Sequence, residues 1–164
     1  MPKTHTSVDA AGNRPLVGAC NVTALRKATR RVSQLYDSAL APFGLRSTQR
    51  AILVYIARYG SPTMSELAAA LVLDRSALNH NLKPLQRDGL VVTVVDEDDR
   101  RSRLIRLTKR GEAKVKESQA AWKDAQARFE ASFGKDESAS LRAALESIAA
   151  MEFSGSASPE DASG

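Results

Sequence analysis

Residues 62–111 read PTMSELAAALVLDRSALNHNLKPLQRDGLVVTVVDEDDRRSRLIRLTKRG, and this stretch decides the fold. Its first half holds two short amphipathic segments, which predict two helices joined by a tight turn. The segment Thr63-Met64-Ser65-Glu66 fits a capping box at the start of the first helix. A β-branched run at 90–95 and the segment SRLIRLT at 102–108 then predict two strands, with DEDDRR as the hairpin tip between them. This order is typical of a winged helix-turn-helix, which places one helix in a DNA groove and a basic loop beside it.

The second of these helices is predicted over 75–88. Asp74 is a good N-cap residue, and Gly89 is a typical helix end. Leucines at 78, 82 and 85 form the predicted core stripe, so the opposite face points outward. On that face lie the residues predicted to contact DNA: Arg75, Ser76, Asn79, His80 and Lys83.

Base readout is predicted at the start of this helix. Asn79 can pair with adenine, Ser76 or His80 can reach base edges or phosphate, and Lys83 suits phosphate. Pro84 removes a backbone donor and clashes with the preceding turn, which predicts a bend near 81–84. A solvated helix face has the same pattern, and the basic hairpin alongside is what favours DNA contact.

The hairpin tip carries four acidic residues and two arginines. Free carboxylates would repel DNA, so we expect them to hold arginine side chains by paired hydrogen bonds. A charge-mixed turn in solvent is the alternative. Arg106 is expected near phosphate or as a strand-surface charge, and the predicted contacts of the wing are Asp99, Arg100, Arg101 and Arg103.

The charge distribution favours a polyanionic partner for the same part of the chain. The net charge is +5 over 164 residues. Residues 1–135 hold 23 Lys/Arg against 13 Asp/Glu, whereas residues 136–164 hold 1 against 6. The basic charge therefore belongs with the predicted winged segment and not with the C-terminal end.

Helices are predicted on both sides of this segment, giving a mainly α protein with a small β-wing, in the α+β class. A tail at 1–15 precedes a helix from Leu16 to about Ala41, and a second helix, capped by Ser47/Thr48, runs to Gly60 as a buried central helix. A long helix from Thr108 to Phe133 and another at about 136–153 follow, then a disordered tail at 154–164. The last helix is expected to bury Leu141, Ala144, Leu145, Ile148 and Met151.

The polar helix followed by LQRDGLV, DEDDRRS and LIRLTKRG resembles the helix-wing signature of the MarR (multiple antibiotic resistance regulator) family. The resemblance covers roughly residues 16–153. It implies a homodimer that represses nearby genes until a small molecule or oxidation releases it. It also implies dimerisation through 16–44 and 109–153, DNA binding through 45–108, and a role for Asp99 in orienting Arg101 toward the minor groove.

A partner surface is also expected from the residues themselves. Trp122, Phe129 and Phe133 share one stripe of a long helix, and the small winged core is too small to cover it. A monomer whose terminal helices pack on one another is the alternative.

The effector is less well defined than the DNA site. By family analogy it is an aromatic or phenolic acid, or a related anion, lying between the dimer helices and the winged domain. Arg26, Arg30 and Arg31 are the nearest clustered cations on the first helix. A thiol switch at Cys20 is an alternative, but Ser47 and Arg50 stand where the hydroperoxide-sensing branch of the family has tyrosines.

Other classes are disfavoured. The sequence has no Ser-His-Asp arrangement, Gly-rich phosphate loop or metal-ligand spacing, so neither an enzyme nor a cofactor or metal is expected. The lone Cys20, the lack of an apolar N-terminal leader and apolar runs of only seven residues predict a cytoplasmic protein with no membrane partner. An effector-free architectural winged helix that reads no DNA sequence is the remaining alternative.

Overall fold

The structure is a computed structural model that describes residues 20–152. Both predicted tails lie outside the described residues, as does the start predicted for the first helix at Leu16. The elements are α1 (Asn21–Leu40), a 3₁₀ turn (Ala41–Phe43), α2 (Ser47–Tyr59), α3 (Met64–Ala70), α4 (Arg75–Arg87), β1 (Val91–Val95), β2 (Arg103–Leu107), α5 (Lys109–Glu117), α6 (Gln119–Phe133) and α7 (Lys135–Ala149).

The core of the winged unit forms where α2, α3 and α4 meet the hairpin. β1 and β2 pair antiparallel, with Thr93 opposite Ile105. Residues from all of these elements are fully or almost fully buried there, and each buried aliphatic side chain stabilises the fold by about 2 kcal/mol. The largest of them are Ile52, Leu53, Leu67, Leu78, Leu82, Leu85, Val91 and Ile105.

Two helix starts show how local sequence sets the boundaries. The predicted capping box at α3 is confirmed: the Thr63 amide donates to the Glu66 carboxylate at 2.7 Å, and the Glu66 amide donates back to the Thr63 hydroxyl. At α2 the prediction was wrong, because Arg46 is the N-cap and Ser47 is already helical. The Ser47 amide donates to the Asp37 carboxylate at 2.7 Å, so a residue of α1 serves the start of α2.

The single helix predicted from Thr108 to Phe133 is two helices. The Thr108 hydroxyl caps α5 by accepting a hydrogen bond from the Gly111 amide. The helix is interrupted at Ser118, between α5 and α6. The Ser118 hydroxyl donates to the Lys114 carbonyl at 2.8 Å, a bond to the preceding turn that competes with regular helix geometry. A fully buried serine therefore marks the junction between the winged unit and α6.

The C-terminal helix is far less covered than predicted. Within one chain α7 buries only Ser138, and every residue from 142 to 150 is exposed. Leu145 and Ile148 each keep 40% of their surface accessible, and Met151 keeps 52%. The expectation that the last helix buries its apolar residues is therefore wrong for the single chain, although Leu141 is partly covered.

The predicted aromatic stripe of α6 is divided among different surroundings. Trp122 packs against the winged core and is partly buried there, so this core covers part of one residue of the stripe. Phe129 lies in a cleft between α1, α6 and α7, and Phe133 is exposed. Among the helices of residues 20–152, none combines the length and apolar content that a membrane crossing needs.

Gly111 gives a direct test of how α5 packs on the hairpin. A Cβ atom added there would lie 2.1 Å from the Leu90 carbonyl oxygen and 3.0 Å from the side chain of Leu107. The Thr108 hydroxyl, which donates to the Gly89 carbonyl at 2.6 Å, holds that backbone in place. We therefore expect Gly111→Ala to lower the free energy of unfolding by about 1–3 kcal/mol, despite the better helix propensity of alanine.

Urea denaturation followed by circular dichroism measures this change. Glu112→Ala is the matched control, because it places alanine at the exposed neighbouring position of the same helix. Equal unfolding midpoints for Gly111→Ala and the wild type would show that α5 does not pack this closely.

Candidate nucleic-acid interface

Helix α4 is fixed at its start and end as the sequence predicted. The Asp74 carboxylate accepts from the Ala77 amide at 2.7 Å, and the helix ends at Asp88, before Gly89 with φ of 66°. Its leucine stripe is buried against the core. Burial of this stripe turns the opposite face toward solvent.

That outward face carries the predicted contact residues with their side chains free. All five are exposed, and within residues 20–152 their side chains form neither hydrogen bonds nor ion pairs: Arg75, Ser76, Asn79, His80 and Lys83. The neighbouring Asn81 differs, because its amide nitrogen donates to the Ala77 carbonyl at 2.9 Å. The structure therefore brings the predicted set together on one face.

Pro84 lies inside α4 without ending it. The helix continues to Arg87, and the Asp88 amide donates to the Pro84 carbonyl at 2.9 Å. Because proline has no amide hydrogen, the His80 carbonyl lacks its usual helical donor. The bend expected near 81–84 stays a prediction.

The wing is attached to the helices by specific hydrogen bonds. The Ile105 amide of β2 donates to the Pro62 carbonyl at 2.8 Å, and Thr63 forms a bridge with Leu104. On the other strand, Thr93 accepts from the Gln86 side chain at 2.9 Å. These bonds tie β2 to the start of α3 and β1 to the end of α4, so the hairpin is held beside the exposed face of α4.

The acidic residues of the hairpin tip bind backbone and not arginine side chains. The Asp99 carboxylate accepts from the Arg101 amide at 3.0 Å, and the Asp96 carboxylate accepts from the Asp98 amide at 3.1 Å. No ion pair joins a tip carboxylate to an arginine in the described part of the chain. The predicted carboxylate–guanidinium pairing is therefore wrong here: Asp99 shapes the turn that presents Arg101 and does not hold its side chain.

The arginines of the wing fall into two groups. Arg100 and Arg101 are exposed at the tip, without a side-chain partner among residues 20–152. Arg103 folds back and donates to the Arg100 and Ser102 carbonyls, while Arg106 donates to the Ser61 hydroxyl at 3.0 Å. The tip therefore offers two free guanidiniums at its exposed end.

Comparisons with known proteins agree with this arrangement. A model of the MarR family matches residues 43–102. The uncharacterized HTH-type transcriptional regulator YwoH of Bacillus subtilis is 30% identical over 105 residues, which span 64% of this chain and 72% of the relative. The transcriptional regulator MosR of M. tuberculosis, solved with DNA, is 36% identical, with a TM-score of 0.65 over 79% of this chain and 98% of that chain.

The chain belongs to the MarR family. The repressor CouR bound to a 23-mer DNA duplex has the same winged fold, with a TM-score of 0.75, 25% identity, and coverage of 84% of this chain and 97% of that one. This member of the family is a DNA-binding transcriptional regulator with a winged helix-turn-helix, as the sequence predicted. Its relatives are regulators of transcription and not enzymes.

The residues predicted for an effector or redox site do not form one site in this MarR-family chain. Arg26, Arg30 and Arg31 line an open groove on one face of α1. Cys20 is exposed at the N-cap of α1, where a hydrogen bond with the Thr23 side chain lowers the pKa of its thiol. No cluster of metal-ligating side chains occurs within residues 20–152.

The sequence assigned Arg50 to no site, but this residue is buried with only 5% of its surface exposed. Its Nε donates to the Ser118 hydroxyl at 3.3 Å and its Nη2 donates to the Gln119 side-chain oxygen at 2.6 Å. Its guanidinium carbon lies 5.0 Å from the Trp122 ring centroid. The sequence signal that could have indicated this buried residue is an arginine among the apolar residues of α2.

Proposed function

We propose that this regulator represses transcription as a homodimer on a pseudo-palindromic operator and is released by a small aromatic anion. The observation that carries the DNA part of the proposal is the exposed polar face of α4, whose side chains have no partner within residues 20–152, beside the free arginines of the hairpin tip. Exposed groups without internal partners can exchange water for base edges and phosphates at low cost.

Each part of the interface has a proposed role. Asn79 pairs with adenine in the major groove, with Ser76 and His80 reaching base edges or phosphate. Lys83 and Arg75 neutralise phosphates. Arg101 enters the minor groove, where a narrow groove concentrates negative potential, and Asp99 sets the turn that presents it. Arg100 and Arg103 lie beside the phosphates on the same edge.

Related solved structures support both the DNA-binding part and the effector-binding part of the proposal. CouR has been solved with a DNA duplex. CouR from Rhodococcus jostii RHA1 has also been solved bound to p-coumaroyl-CoA, and that structure is 25% identical to this chain in sequence, with a TM-score of 0.70. A related fold therefore binds DNA and also a small molecule that carries a phenolic acyl group. For this chain we propose an aromatic or phenolic anion.

The terminal helices support a homodimer. The C-terminal half of α7 has no buried residue; Leu145 and Ile148 expose large apolar surfaces there, as does Met151 just after the helix. Val22 and Leu25 of α1 and Phe133 of α6 add to this exposed apolar surface. We propose that residues 16–44 and 109–153 dimerise, while residues 45–108 bind DNA in two half-sites about 10 bp apart.

Charges introduced on α7 test the dimer. The double substitution Leu145→Asp and Ile148→Asp should give a monomer of about the 17.7 kDa chain mass, because two carboxylates would be buried in the apolar interface. Sedimentation velocity measures the mass. Ser147→Asp adds charge at an exposed position between them and should sediment like the wild type. A monomeric wild type would overturn the dimer.

The salt dependence of DNA affinity separates charge contacts with the backbone from contacts with bases. Arg101→Ala should weaken binding to all sequences and reduce the slope of log K against log salt by about 1, since one phosphate-associated charge is lost. Asn79→Ala should leave the slope unchanged and relax specificity at one base pair of each half-site, at a cost of about 1–3 kcal/mol.

Fluorescence anisotropy with the upstream promoter fragment and with random DNA measures both effects. A specific regulator should prefer its own site by ~10³ or more, whereas an architectural protein should not. Unchanged affinity for the Arg101 variant would remove the wing from the interface.

A thiol switch is the second candidate, and the surroundings of Cys20 favour it. The thiol is exposed and its lowered pKa increases the fraction of reactive thiolate near neutral pH. Cumene hydroperoxide should then release wild-type protein from DNA in a gel-shift assay and leave the Cys20→Ser variant bound. Identical behaviour of the two proteins would exclude the switch.

A further inference from the structure

Four cations lie together on one face of α1, and this face is named the α1 stripe: Arg26, Lys27, Arg30 and Arg31. All four side chains are exposed, and within residues 20–152 none of them forms an ion pair. The one acidic residue of α1, Asp37, lies beyond the stripe, and its carboxylate already accepts from the Ser47 amide at 2.7 Å. The stripe therefore presents four positive charges that no described residue neutralises.

The spacing of these cations works against the helix that carries them. Arg26 and Arg30 are four residues apart, as are Lys27 and Arg31, and like charges at this spacing repel each other on a helix surface. The first turn of α1 contains no acidic residue that could compensate them. A negatively charged partner that covers the stripe removes this repulsion, which favours its binding.

The stripe and the apolar side of α1 lie on opposite faces of the helix. Leu25, Ala28, Val32 and Tyr36 line the apolar cleft that α1 forms with α6 and α7. The groove along the stripe shares no residue with that cleft. Burial of the apolar face in the proposed homodimer therefore leaves the stripe of each chain turned toward solvent.

The stripe is also remote from the surface proposed to read the operator. Leu40, at the end of α1, belongs to the winged core, and Tyr36 donates a hydrogen bond to Gln126 of α6. From there the two helices extend together away from the winged unit, so that Leu25 and Phe129 line one cleft with α7. The stripe lies on this outer half of α1, so a duplex bound there is a different DNA segment from the one that α4 contacts.

The composition of the groove favours the backbone of duplex DNA. Thr23 and Gln34 complete its lining, which contains no aromatic and no purely apolar side chain. Protein interfaces have an apolar and aromatic centre, and single-stranded nucleic acids are held by stacking on aromatic rings. Cations beside neutral polar groups instead suit phosphates, which arginine can bind through two parallel hydrogen bonds.

We propose that the α1 stripe binds the phosphate backbone of a second DNA duplex while α4 holds the operator. Because phosphates are the same at every base step, this contact has no sequence preference. A homodimer on its operator then joins two segments of DNA. The arginines of α1 thereby serve DNA and not the effector.

A capture assay with the full chain tests the stripe. The upstream promoter fragment is fixed to beads and saturated with protein, unbound protein is washed away, and a fluorescent duplex of random sequence is added. We expect the wild type to capture this second duplex. Four phosphate contacts per stripe predict that raising the salt from 50 to 200 mM lowers the capture affinity per bound protein about a hundredfold.

Two variants of equal net charge separate the stripe from the overall charge of the protein. The stripe variant carries Arg26→Gln, Lys27→Gln, Arg30→Gln and Arg31→Gln. The matched control removes four exposed cations of α5, α6 and α7, through Lys116→Gln, Lys123→Gln, Arg128→Gln and Lys135→Gln. Glutamine is a good helix former, so both variants should fold. We expect the stripe variant to capture at least tenfold less duplex than the control, while both keep operator affinity within about twofold of the wild type.

Four outcomes would overturn the inference. Two are equal capture by the stripe variant and the control, and no capture by a wild type that occupies the operator. A tenfold loss of operator affinity in the stripe variant alone is the third, because the stripe would then contact the operator itself. Tighter capture of fluorescent polyglutamate than of the duplex is the fourth, since the partner would then be an acidic protein segment. A wild type that leaves the promoter fragment unoccupied would overturn the proposed function together with this inference, which depends on an operator-bound protein.

Discussion

The burial of one leucine stripe on α4 is the constraint on which the rest of the structure depends. Leu78, Leu82 and Leu85 are almost completely buried against the core. Because these positions recur at helical spacing, their burial fixes the rotation of α4 about its own axis. Asn79 and its neighbours are thereby forced outward as one surface. The orientation of the polar α4 face that is proposed to contact DNA is therefore a consequence of core packing and needs no separate positioning device.

The place of the hairpin is set by hydrogen bonds from its two strands to the helices. The hairpin is held at the α3 end by the Ile105 amide on Pro62 and at the α4 end by Gln86 on Thr93. With both strands tied to helices, the tip residues have a defined place beside α4. Within the tip, carboxylates accept backbone amides, which leaves the guanidiniums of Arg100 and Arg101 free for phosphates. Acidic residues are thus compatible with the DNA contact proposed for this loop, because they shape its turn.

Sequence predicted the features that local patterns encode. The α3 capping box, the Asp74 cap, the leucine stripe and the hairpin follow from spacing and residue type, and the structure has them. The features it missed depend on contacts distant in sequence. Asp37 serves the start of α2, and Arg50 meets Ser118 at the α5–α6 break. The periodicity of a single helix does not show such partners, so the exposed face of α4 could be predicted and the contacts of the buried arginine could not.

The buried arginine links the winged unit to the start of α6. The winged unit has a closed core, whereas the C-terminal half of α7 remains exposed. In the proposed homodimer a second copy covers this surface, which would fix the terminal helices of both chains in one body. The winged unit is then joined to that body through α5 and α6, and Arg50 is a buried polar contact at this junction. Within residues 20–152, the cost of burying its charge is offset by neutral hydrogen-bond acceptors and by the Trp122 ring. In the proposed homodimer, this junction sets the separation of the two α4 helices, which a two-fold operator would read.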